Sequence, residues 1–278
     1  MQENHLTLKA YTYDLDWNRH VTSRTYEKFT QEGRNQLLAQ VDYPIERCIE
    51  ENIFLIPVSS EIRFLSQQFA GSTIGIQTKG FQIDEDHIYW KHNLVGQDFQ
   101  PCAELSIITK VNGKKNLLEE EFAPEMKNKI PNHIKEFSGS SEQLVHDFKC
   151  QFSDLNPFIT YSPDAIWKIF EEGRWLFFNE VIDLKLMNQL DTTSFFMGGQ
   201  IQVFKMPLPG EKISLHSWLE SIEKIRFYFR QDIKNESGEV LVSMRDEQLF
   251  VSLTKSRPRK APSEFIKIVE RYLENKSI

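Results

Sequence analysis

The stretch Tyr13–Leu38, which reads YDLDWNRHVTSRTYEKFTQEGRNQLL, determines how the rest of the chain is interpreted. Thr22 is a good N-cap residue, because its hydroxyl can accept a hydrogen bond from a free backbone N–H of the first helical turn. Large apolar residues or glycine then recur at spacings of three, four and four, at Tyr26, Phe29, Gly33 and Leu37. This spacing predicts one amphipathic helix that starts after Thr22 and ends before Asp42-Tyr43-Pro44.

Segments with strand character flank this helix. The segment before it, from His5 to Tyr13, alternates well enough to predict a strand. After the helix, runs rich in Ile, Val, Phe and Tyr are separated by glycines and an acidic turn, and they predict strands at Ile53–Leu65, Thr73–Ile83, His87–Val95 and Ala103–Val111. One strand, one long helix and four further strands predict an α+β architecture, in which an antiparallel sheet is covered by a single helix.

The chain contains an internal repeat at an offset of 140 residues, which becomes 139 and then 138 toward the end. The matched pairs are Thr22 with Ser162, Glu32-Gly33-Arg34 with Glu172-Gly173-Arg174, Ile62 with Ile201, Gly71 with Gly210, Tyr89 with Tyr228 and Pro124 with Pro262. A match over nearly a whole half, with only single-residue slips, indicates a duplication. We predict one unit at residues 1–135, a second at 145–278, and a flexible linker at 135–143.

A glycine lies inside the predicted helix of both copies. Glycine in a helix interior costs about 1 kcal/mol relative to alanine, so its presence at Gly33 and again at Gly173 requires a reason. The usual reason is the close approach of another backbone. We therefore predict that the sheet lies directly against each helix at this position.

Composition excludes several classes of protein. The 278 residues include 33 basic and 40 acidic side chains, and the net charge of −7 argues against a general nucleic-acid binder. No apolar run approaches the roughly 18 residues of a membrane span, and the first ten residues lack the pattern of a secretion signal, so we expect a cytoplasmic protein. Because Cys48, Cys102 and Cys150 lack metal-ligand spacing, we expect buried reduced thiols and no metal site.

Four polar residues, Asp14, Asp16, Asn18 and His20, alternate just before the first helix. In an extended segment alternate side chains share a side, so the last three are predicted to converge while Leu15, Trp17 and Val21 turn to the core. A carboxylate, an amide and an imidazole at one place are the groups that a hydrolytic site needs. Two plainer interpretations stay open: Asp14 as a turn-former or salt-bridge partner, and the other three as a hydrogen-bonded helix cap.

The second copy lacks this polar cluster, because its equivalent positions hold Asn156, Phe158 and Thr160. We therefore predict one catalytic site per chain and a second unit that supplies a partner surface without chemistry of its own. The Glu-Gly-Arg group is kept by both copies, including the copy without the cluster. A structural role is therefore favoured for that group.

In layout, each unit resembles the hotdog fold, in which an antiparallel sheet wraps a long central helix, and the whole chain resembles the double-hotdog proteins of the thioesterase superfamily. The motif Asp16-x-Asn18-x-His20 is similar to that of acyl-CoA thioesterases of the 4-hydroxybenzoyl-CoA type and, more closely, to the Asp-x-Asn-x-His of plant acyl-carrier-protein thioesterases. The resemblance implies that Asp16 is catalytic, with Asn18 and His20 as its partners. Arg19 departs from the pattern, since glycine commonly precedes the histidine, and Thr22-Ser23 replaces a frequent asparagine pair.

The resemblance also implies a substrate, an acyl thioester of coenzyme A or of acyl carrier protein, with no further cofactor and no metal. Asp16 either attacks the thioester to give a mixed anhydride or deprotonates a water that does so, and both routes stay open. The backbone N–H groups of Val21, Thr22 and Ser23 at the helix start are predicted to form the oxyanion hole. Whether these double-hotdog chains pair further into homodimers is open.

Two other functions are compatible with the sequence. The segment Ser153–Pro157 resembles the Gly-Asp-x-Asn-Pro stretch of R-specific enoyl-CoA hydratases, in which a histidine two residues after the proline works with the aspartate. Ile159 occupies that position here, so the aspartate lacks its imidazole partner. A hydratase or dehydratase is therefore the second prediction, after the thioesterase. The third is a non-catalytic acyl-thioester-binding protein, which would keep a pocket without the chemistry.

Overall fold

A computed structural model describes residues 3–16, 18–123, 126, 130 and 133–274. The chain divides into two compact units, Met1–Asn132 with Asp154–Trp167 and His133–Ser153 with Lys168–Ile278. Each unit contains an antiparallel sheet and is described by itself below. The division of the chain into repeats at 1–135 and 145–278 remains a prediction from the sequence.

The first unit has five strands and one long helix. Its strands are β1 (Glu3–Lys9), β2 (Phe54–Phe64), β3 (Thr73–Gln82), β4 (His87–Val95) and β5 (Pro101–Asn112), in the sheet order β1-β3-β4-β5-β2 with antiparallel neighbours. The long helix α1 (Ser23–Gln40) contacts β1 and β3, and a short helix α2 (Ile45–Glu50) precedes β2. These elements agree with the predicted strands and long helix, apart from differences of a few residues at their ends.

Helix α1 begins and ends as predicted. The hydroxyl of Thr22 accepts a hydrogen bond from the N–H of Thr25 at 3.2 Å, which caps the first turn. The predicted apolar face is the buried one, because all four of its residues are buried: Tyr26, Phe29, Gly33 and Leu37. This face holds the helix on the sheet, since burial of such side chains contributes about 1.5–3 kcal/mol each.

The helical glycines face the sheet closely. A Cβ atom on Gly33 would overlap the hydroxyl of Thr78, and one on Gly173 would overlap the side chains of Leu215 and Gln231. A packing reason for the glycines is therefore confirmed. The atoms that approach are strand side chains, however, so the prediction of a close backbone is wrong in that detail.

A buried ion pair lies beneath α1. The guanidinium of Arg34 donates to the Glu27 carboxylate at 2.6 Å, and both side chains are at most 3% exposed. Arg34 also lies 3.4 Å from Nε2 of His92, whose Nδ1 is 2.9 Å from the hydroxyl of Thr78. Burial and the neighbouring Arg34 charge hold the pKa of His92 well below its ordinary value. Glu32 is exposed, so the structural role predicted for the Glu-Gly-Arg group does not extend to its glutamate.

The second unit has the same sheet order. Its strands are β6 (Leu144–Lys149), β7 (Thr193–Val203), β8 (Lys212–Ile222), β9 (Arg226–Asn235) and β10 (Val240–Ser252), arranged β6-β8-β9-β10-β7, with the two-residue β11 (Arg257–Pro258) paired to β10. Its helices are α3 (Pro163–Phe177), which belongs to this unit from Lys168 onward, α4 (Leu184–Gln189) and α5 (Ser263–Val269). A π-helical turn, Phe178–Ile182, follows α3.

The core of the second unit is rich in aromatic rings. Six rings that are at most 5% exposed pack together: Phe177, Phe227, Phe229, Phe250, Phe265 and Tyr272. Edge-to-face pairs such as Phe177 with Phe229, whose centroids are 4.9 Å apart, add about 0.5–1.5 kcal/mol beyond the burial of area. Phe177, the last residue of α3, is therefore a core residue.

The segment 135–143 is part of the second unit and is hydrogen-bonded to residues near the end of the chain. The N–H of Ser138 donates to the Glu274 carboxylate at 3.1 Å, and the N–H of Glu142 donates to the carbonyl of Arg271 at 2.8 Å. The prediction of a flexible linker at these residues is therefore wrong. Its serine and glycine content indicated flexibility, whereas the partners that hold it lie more than a hundred residues further along the chain.

Two predictions from composition can be compared with the structure. Cys48, Cys102 and Cys150 are free and buried, as predicted, and burial raises the pKa of the Cys102 thiol to about 11. In the described part of the chain, no helix is long and apolar enough to cross a membrane.

Candidate active site

The polar cluster lies on a tight loop, residues 15–21, which we call the site loop. A short 3₁₀ turn, Thr12–Asp14, enters it, and a bridge between Leu15 and Val21 closes it just before α1. Within the loop the N–H of Asp16 donates to the carbonyl of His20 at 2.8 Å. Trp17 lies outside the described residues.

The site loop is a turn and not an extended segment. The N–H of Arg19 donates to the carbonyl of Asp16 at 3.0 Å, and Arg19 has a φ of 69°, in the left-handed region that favours glycine. The prediction that residues 16, 18 and 20 converge because they alternate along a strand is therefore wrong in its premise. The sequence contained a signal for the turn, since Arg19 stands where glycine is common in the families that the motif resembles.

Asp16 and Asn18 are brought together by this turn. One carboxylate oxygen of Asp16, Oδ1, accepts a hydrogen bond from the N–H of His20 at 2.9 Å. The other oxygen, Oδ2, lies 3.5 Å from the amide nitrogen of Asn18, the outer limit of a hydrogen bond. Both side chains are exposed. Asp16 thus presents a charged carboxylate to solvent, with one oxygen held by the backbone and the other beside an amide.

The imidazole of His20 has a different neighbour. Its ring packs against the ring of Phe69 in an edge arrangement, with centroids 5.3 Å apart and planes at 68°. Among the residues that the structure describes, no hydrogen bond joins the His20 ring to Asp16 or to Asn18. The side chains of Asp16 and Asn18 therefore lie together, whereas His20 contacts the Asp16 carboxylate through the backbone N–H of His20 and not through its ring.

Two of the three predicted oxyanion donors are already used. The N–H of Val21 donates to the carbonyl of Gln68 at 2.9 Å, and the N–H of Thr22 donates to the carbonyl of Asp14 at 3.0 Å. The prediction is therefore wrong for Val21 and Thr22, because these bonds tie the site loop to its surroundings. For Ser23, the first residue of α1, the assignment remains a prediction.

Asp14 anchors the site loop from below. It is 3% exposed, and its carboxylate accepts the N–H of Tyr11 at 2.9 Å. Its carbonyl accepts the hydroxyl of Thr25, on the first turn of α1, at 3.2 Å. This aspartate is a local structural residue of the turn, which agrees with the plainer interpretation of the sequence.

The second copy forms an equivalent loop at residues 155–161, which we call the second loop. The N–H of Asn156 donates to the carbonyl of Thr160 at 2.9 Å, and Ile159, with a φ of 57°, donates its N–H to the carbonyl of Asn156 at 3.0 Å. The side-chain oxygen of Asn156 accepts the N–H of Thr160 at 3.2 Å. An asparagine therefore makes the same hydrogen bond in the second loop that Asp16 makes in the site loop.

The described residues contain one group with the composition of a metal site. Asp84, Asp86 and His87 lie together at the turn between β3 and β4, a combination that the sequence reading did not single out. One oxygen of Asp84 already accepts the N–H groups of Asp86 and His87, at 3.0 and 2.9 Å. These hydrogen bonds identify the cluster as a side-chain-stabilised turn.

Comparisons with known proteins identify the fold. The sequence matched no protein-family model and no curated protein. Solved structures do match, among them an oleoyl thioesterase, described as putative, from Lactobacillus plantarum, with a TM-score of 0.70 and 11% identity over 94% of this chain and 97% of that chain. An acyl-ACP thioesterase from Bacteroides thetaiotaomicron matches with a TM-score of 0.65 and 12% identity over 90% of this chain and 98% of its own.

A plant protein gives the same result. The 12:0-ACP thioesterase from Umbellularia californica matches with a TM-score of 0.67 and 8% identity over 90% of this chain and 94% of that chain. These matches cover both copies of the repeat, and at such low identity they show the fold alone. The predicted architecture of two tandem hotdog units, each an antiparallel sheet with one long helix, is confirmed, and so is the resemblance to the double-hotdog thioesterase superfamily at the level of fold.

Proposed function

We propose that this protein hydrolyses acyl thioesters, with one site per chain centred on the carboxylate of Asp16. The proposal joins two findings: the fold is shared with proteins named as thioesterases, and the site loop presents Asp16 and Asn18 together at an exposed turn. The substrate class is an acyl thioester of coenzyme A or of acyl carrier protein. No cofactor beyond that carrier takes part in the proposed reaction.

The comparison of the two loops carries the proposal. Asn156 accepts the N–H of Thr160 as Asp16 accepts the N–H of His20, so the loop can be built without a carboxylate. An exposed negative charge that the fold does not need is available for chemistry. The helix α1 begins two residues after Val21, so its positive end is close in sequence to Asp16.

We propose a role for each side chain of the site. In the proposed reaction Asp16 either adds through an oxygen to the thioester carbon or takes a proton from the water that adds there. In the first route the carbon–sulfur bond breaks, the thiolate leaves and a mixed anhydride with Asp16 remains, which a water molecule hydrolyses to release the acid and restore the carboxylate. In the second route the carbon–sulfur bond of the water adduct breaks, the thiolate and the acid leave, and Asp16 returns its proton to solvent. Asn18, beside the second oxygen of Asp16, orients that oxygen, and the imidazole of His20 supplies the proton that the thiolate requires. No metal participates in these steps.

The test measures thiol release from a panel of acyl-CoA and acyl-ACP substrates. The first variant is Asp16→Asn, which keeps the oxygen that accepts the N–H of His20 while it removes the charge. We expect kcat to fall by about 10²- to 10⁴-fold, the usual contribution of acid–base catalysis, with an unchanged melting temperature. The matched control is Asn156→Asp, which places a carboxylate in the second loop and should leave kcat unchanged.

The outcomes separate the three functions that the sequence allows. Equal turnover by the parent protein and Asp16→Asn would remove Asp16 from the mechanism. Hydration of crotonyl-CoA without thiol release would identify a hydratase, although Ile159, at the position where the hydratase histidine would stand, has no titratable group. Tight binding of acyl-CoA without turnover of either kind would identify a binding protein.

A further inference from the structure

Phe69 lies beside the site although nothing in its sequence context marked it as a site residue. It follows β2 in the connection to β3, and its ring contacts the ring of His20 with centroids 5.3 Å apart. Half of its surface is exposed. A phenylalanine in this state gives up much of the free energy that burial of its ring could contribute, so core packing does not explain the choice of an aromatic residue.

The backbone holds this ring in place. His20 and Phe69 form a bridge between the site loop and the β2–β3 connection, next to the hydrogen bond from the N–H of Val21 to the carbonyl of Gln68. A tight turn follows, in which the N–H of Ser72 donates to the carbonyl of Phe69 at 3.1 Å. The backbone of Phe69 is thus held on both sides, next to the residue that carries the imidazole.

The second copy provides an internal comparison. At the 139-residue offset Phe69 corresponds to Leu208, which begins the same turn, because the N–H of Glu211 donates to the carbonyl of Leu208 at 3.0 Å. That copy has Thr160 where the first has His20. The aromatic ring therefore occurs only in the copy that has the imidazole. Leu208 is 59% exposed, so this turn forms with leucine at an exposed position.

We propose that Phe69 is a positioning residue for His20. Its ring restricts rotation of the imidazole and covers one side of it, so that the imidazole stays directed toward the departing thiolate. This inference rests on the proposed thioester hydrolysis for its effect on rate. The contact itself can be tested without any activity.

The kinetic test uses Phe69→Leu, the residue that the second copy carries, together with Phe69→Tyr. We expect Phe69→Leu to lower kcat about three- to tenfold with KM unchanged, the range of an aromatic pair, and Phe69→Tyr to restore the parent value. In a His20→Asn background Phe69→Leu should cause no further loss. Phe99→Leu is the matched control, because Phe99 is also an exposed phenylalanine of the first unit and is 84% exposed.

An equal loss from Phe69→Leu in the presence and absence of His20 would overturn the proposal, and so would a rise in KM alone, which would mean that the ring binds substrate. The second measurement is the NMR signal of the His20 ring, identified as the one missing in His20→Asn. It should shift in Phe69→Leu and stay in place in Phe99→Leu, and an unmoved signal in Phe69→Leu overturns the proposal. If the parent protein releases no thiol from any substrate of the panel while the signal still shifts, the proposed function fails and the contact stands.

Discussion

The site loop and the second loop follow the same path with different chemistry. Both are closed by a bridge before a long helix, both contain a non-glycine residue with positive φ, and both use an acid or amide oxygen to hold the N–H four residues further on. The titratable groups Asp16 and His20 occur only in the first. The difference shows that the loop architecture and its reactive groups are separable requirements.

A second difference lies beneath the helices. Arg34 and Arg174 occupy equivalent positions, yet Arg34 pairs with Glu27 of its own helix while Arg174 pairs with Asp246 of β10 at 2.6 Å. In the first unit, Nδ1 of His92 lies 2.9 Å from the hydroxyl of Thr78. At the equivalent positions of the second unit, the amide of Gln231 donates to the hydroxyl of Ser217 at 3.3 Å. The two copies keep the arginine and satisfy it in different ways.

The largest expected effect concerns the buried pair of the first unit. Arg34→Met leaves the Glu27 carboxylate buried without its partner, which should lower the free energy of unfolding by about 3–5 kcal/mol. The double variant Glu27→Gln/Arg34→Met should lose clearly less, because no unpaired charge remains. Arg174→Met should lose less than Arg34→Met, since the carboxylate left behind, Asp246, still accepts a hydrogen bond from the amide of Gln248 at 3.3 Å. Urea unfolding measures these three variants and the single variant Glu27→Gln, and additive single losses at Glu27 and Arg34 would show that the pair is uncoupled.

The next effect is a dependence of stability on pH. Burial and, to a smaller extent, the charge of Arg34 hold the pKa of His92 well below 6.5 in the folded protein. As the pH falls below about 6.5, the unfolded chain therefore binds a proton at this histidine that the folded protein does not bind. Stability is therefore lost on acidification, by about 1.4 kcal/mol per pH unit for this group. His92→Gln, which introduces the residue of the second copy, should remove that part of the loss.

The measurement is the denaturation midpoint of the parent and His92→Gln at pH 7 and pH 5. His216, whose pKa burial lowers to about 4, contributes to both proteins and cancels in the comparison. If the midpoint changes equally in the parent and in His92→Gln between pH 7 and pH 5, His92 titrates alike in the folded and unfolded chains.

The smallest effect concerns the two turns. A left-handed conformation costs a non-glycine residue about 1–2 kcal/mol. Substitution by glycine removes this cost, but part of the gain in stability is lost because glycine raises the conformational entropy of the unfolded chain. Ile159 is β-branched and should be the more strained, so we expect Ile159→Gly to stabilise by about 1 kcal/mol and Arg19→Gly by less. Thermal unfolding tests the order, and destabilisation by Ile159→Gly would contradict the strain.

Several features of this fold follow from local patterns in the sequence. The spacing of Tyr26, Phe29, Gly33 and Leu37 identified the buried face of α1, and Thr22 identified its start. The repeat then indicated two similar units, because a duplicated chain keeps the residues that its packing requires. These features were predictable since each depends on neighbours within a few turns of helix or strand.

Other features depend on the path of the chain in three dimensions, which alternation and proximity in sequence do not determine. The turn at Arg19, which brings Asp16 to Asn18, replaced the extended segment that alternation suggested. Glu27 became the partner of Arg34, although Glu32 is nearer along the chain. Alternation and proximity in sequence do not report which charges become buried together, because that depends on where the helix meets the sheet.

The sequence by itself determined the class of fold, the duplication and the three residues at which to look for chemistry. Only the tertiary structure decided how those residues are held: the carbonyls of Gln68 and Asp14 occupy the N–H groups of Val21 and Thr22, and Phe69 stands against His20. The physical reason is that a backbone donor is available for catalysis only if no nearer acceptor takes it. That acceptor can come from a strand connection far along the chain.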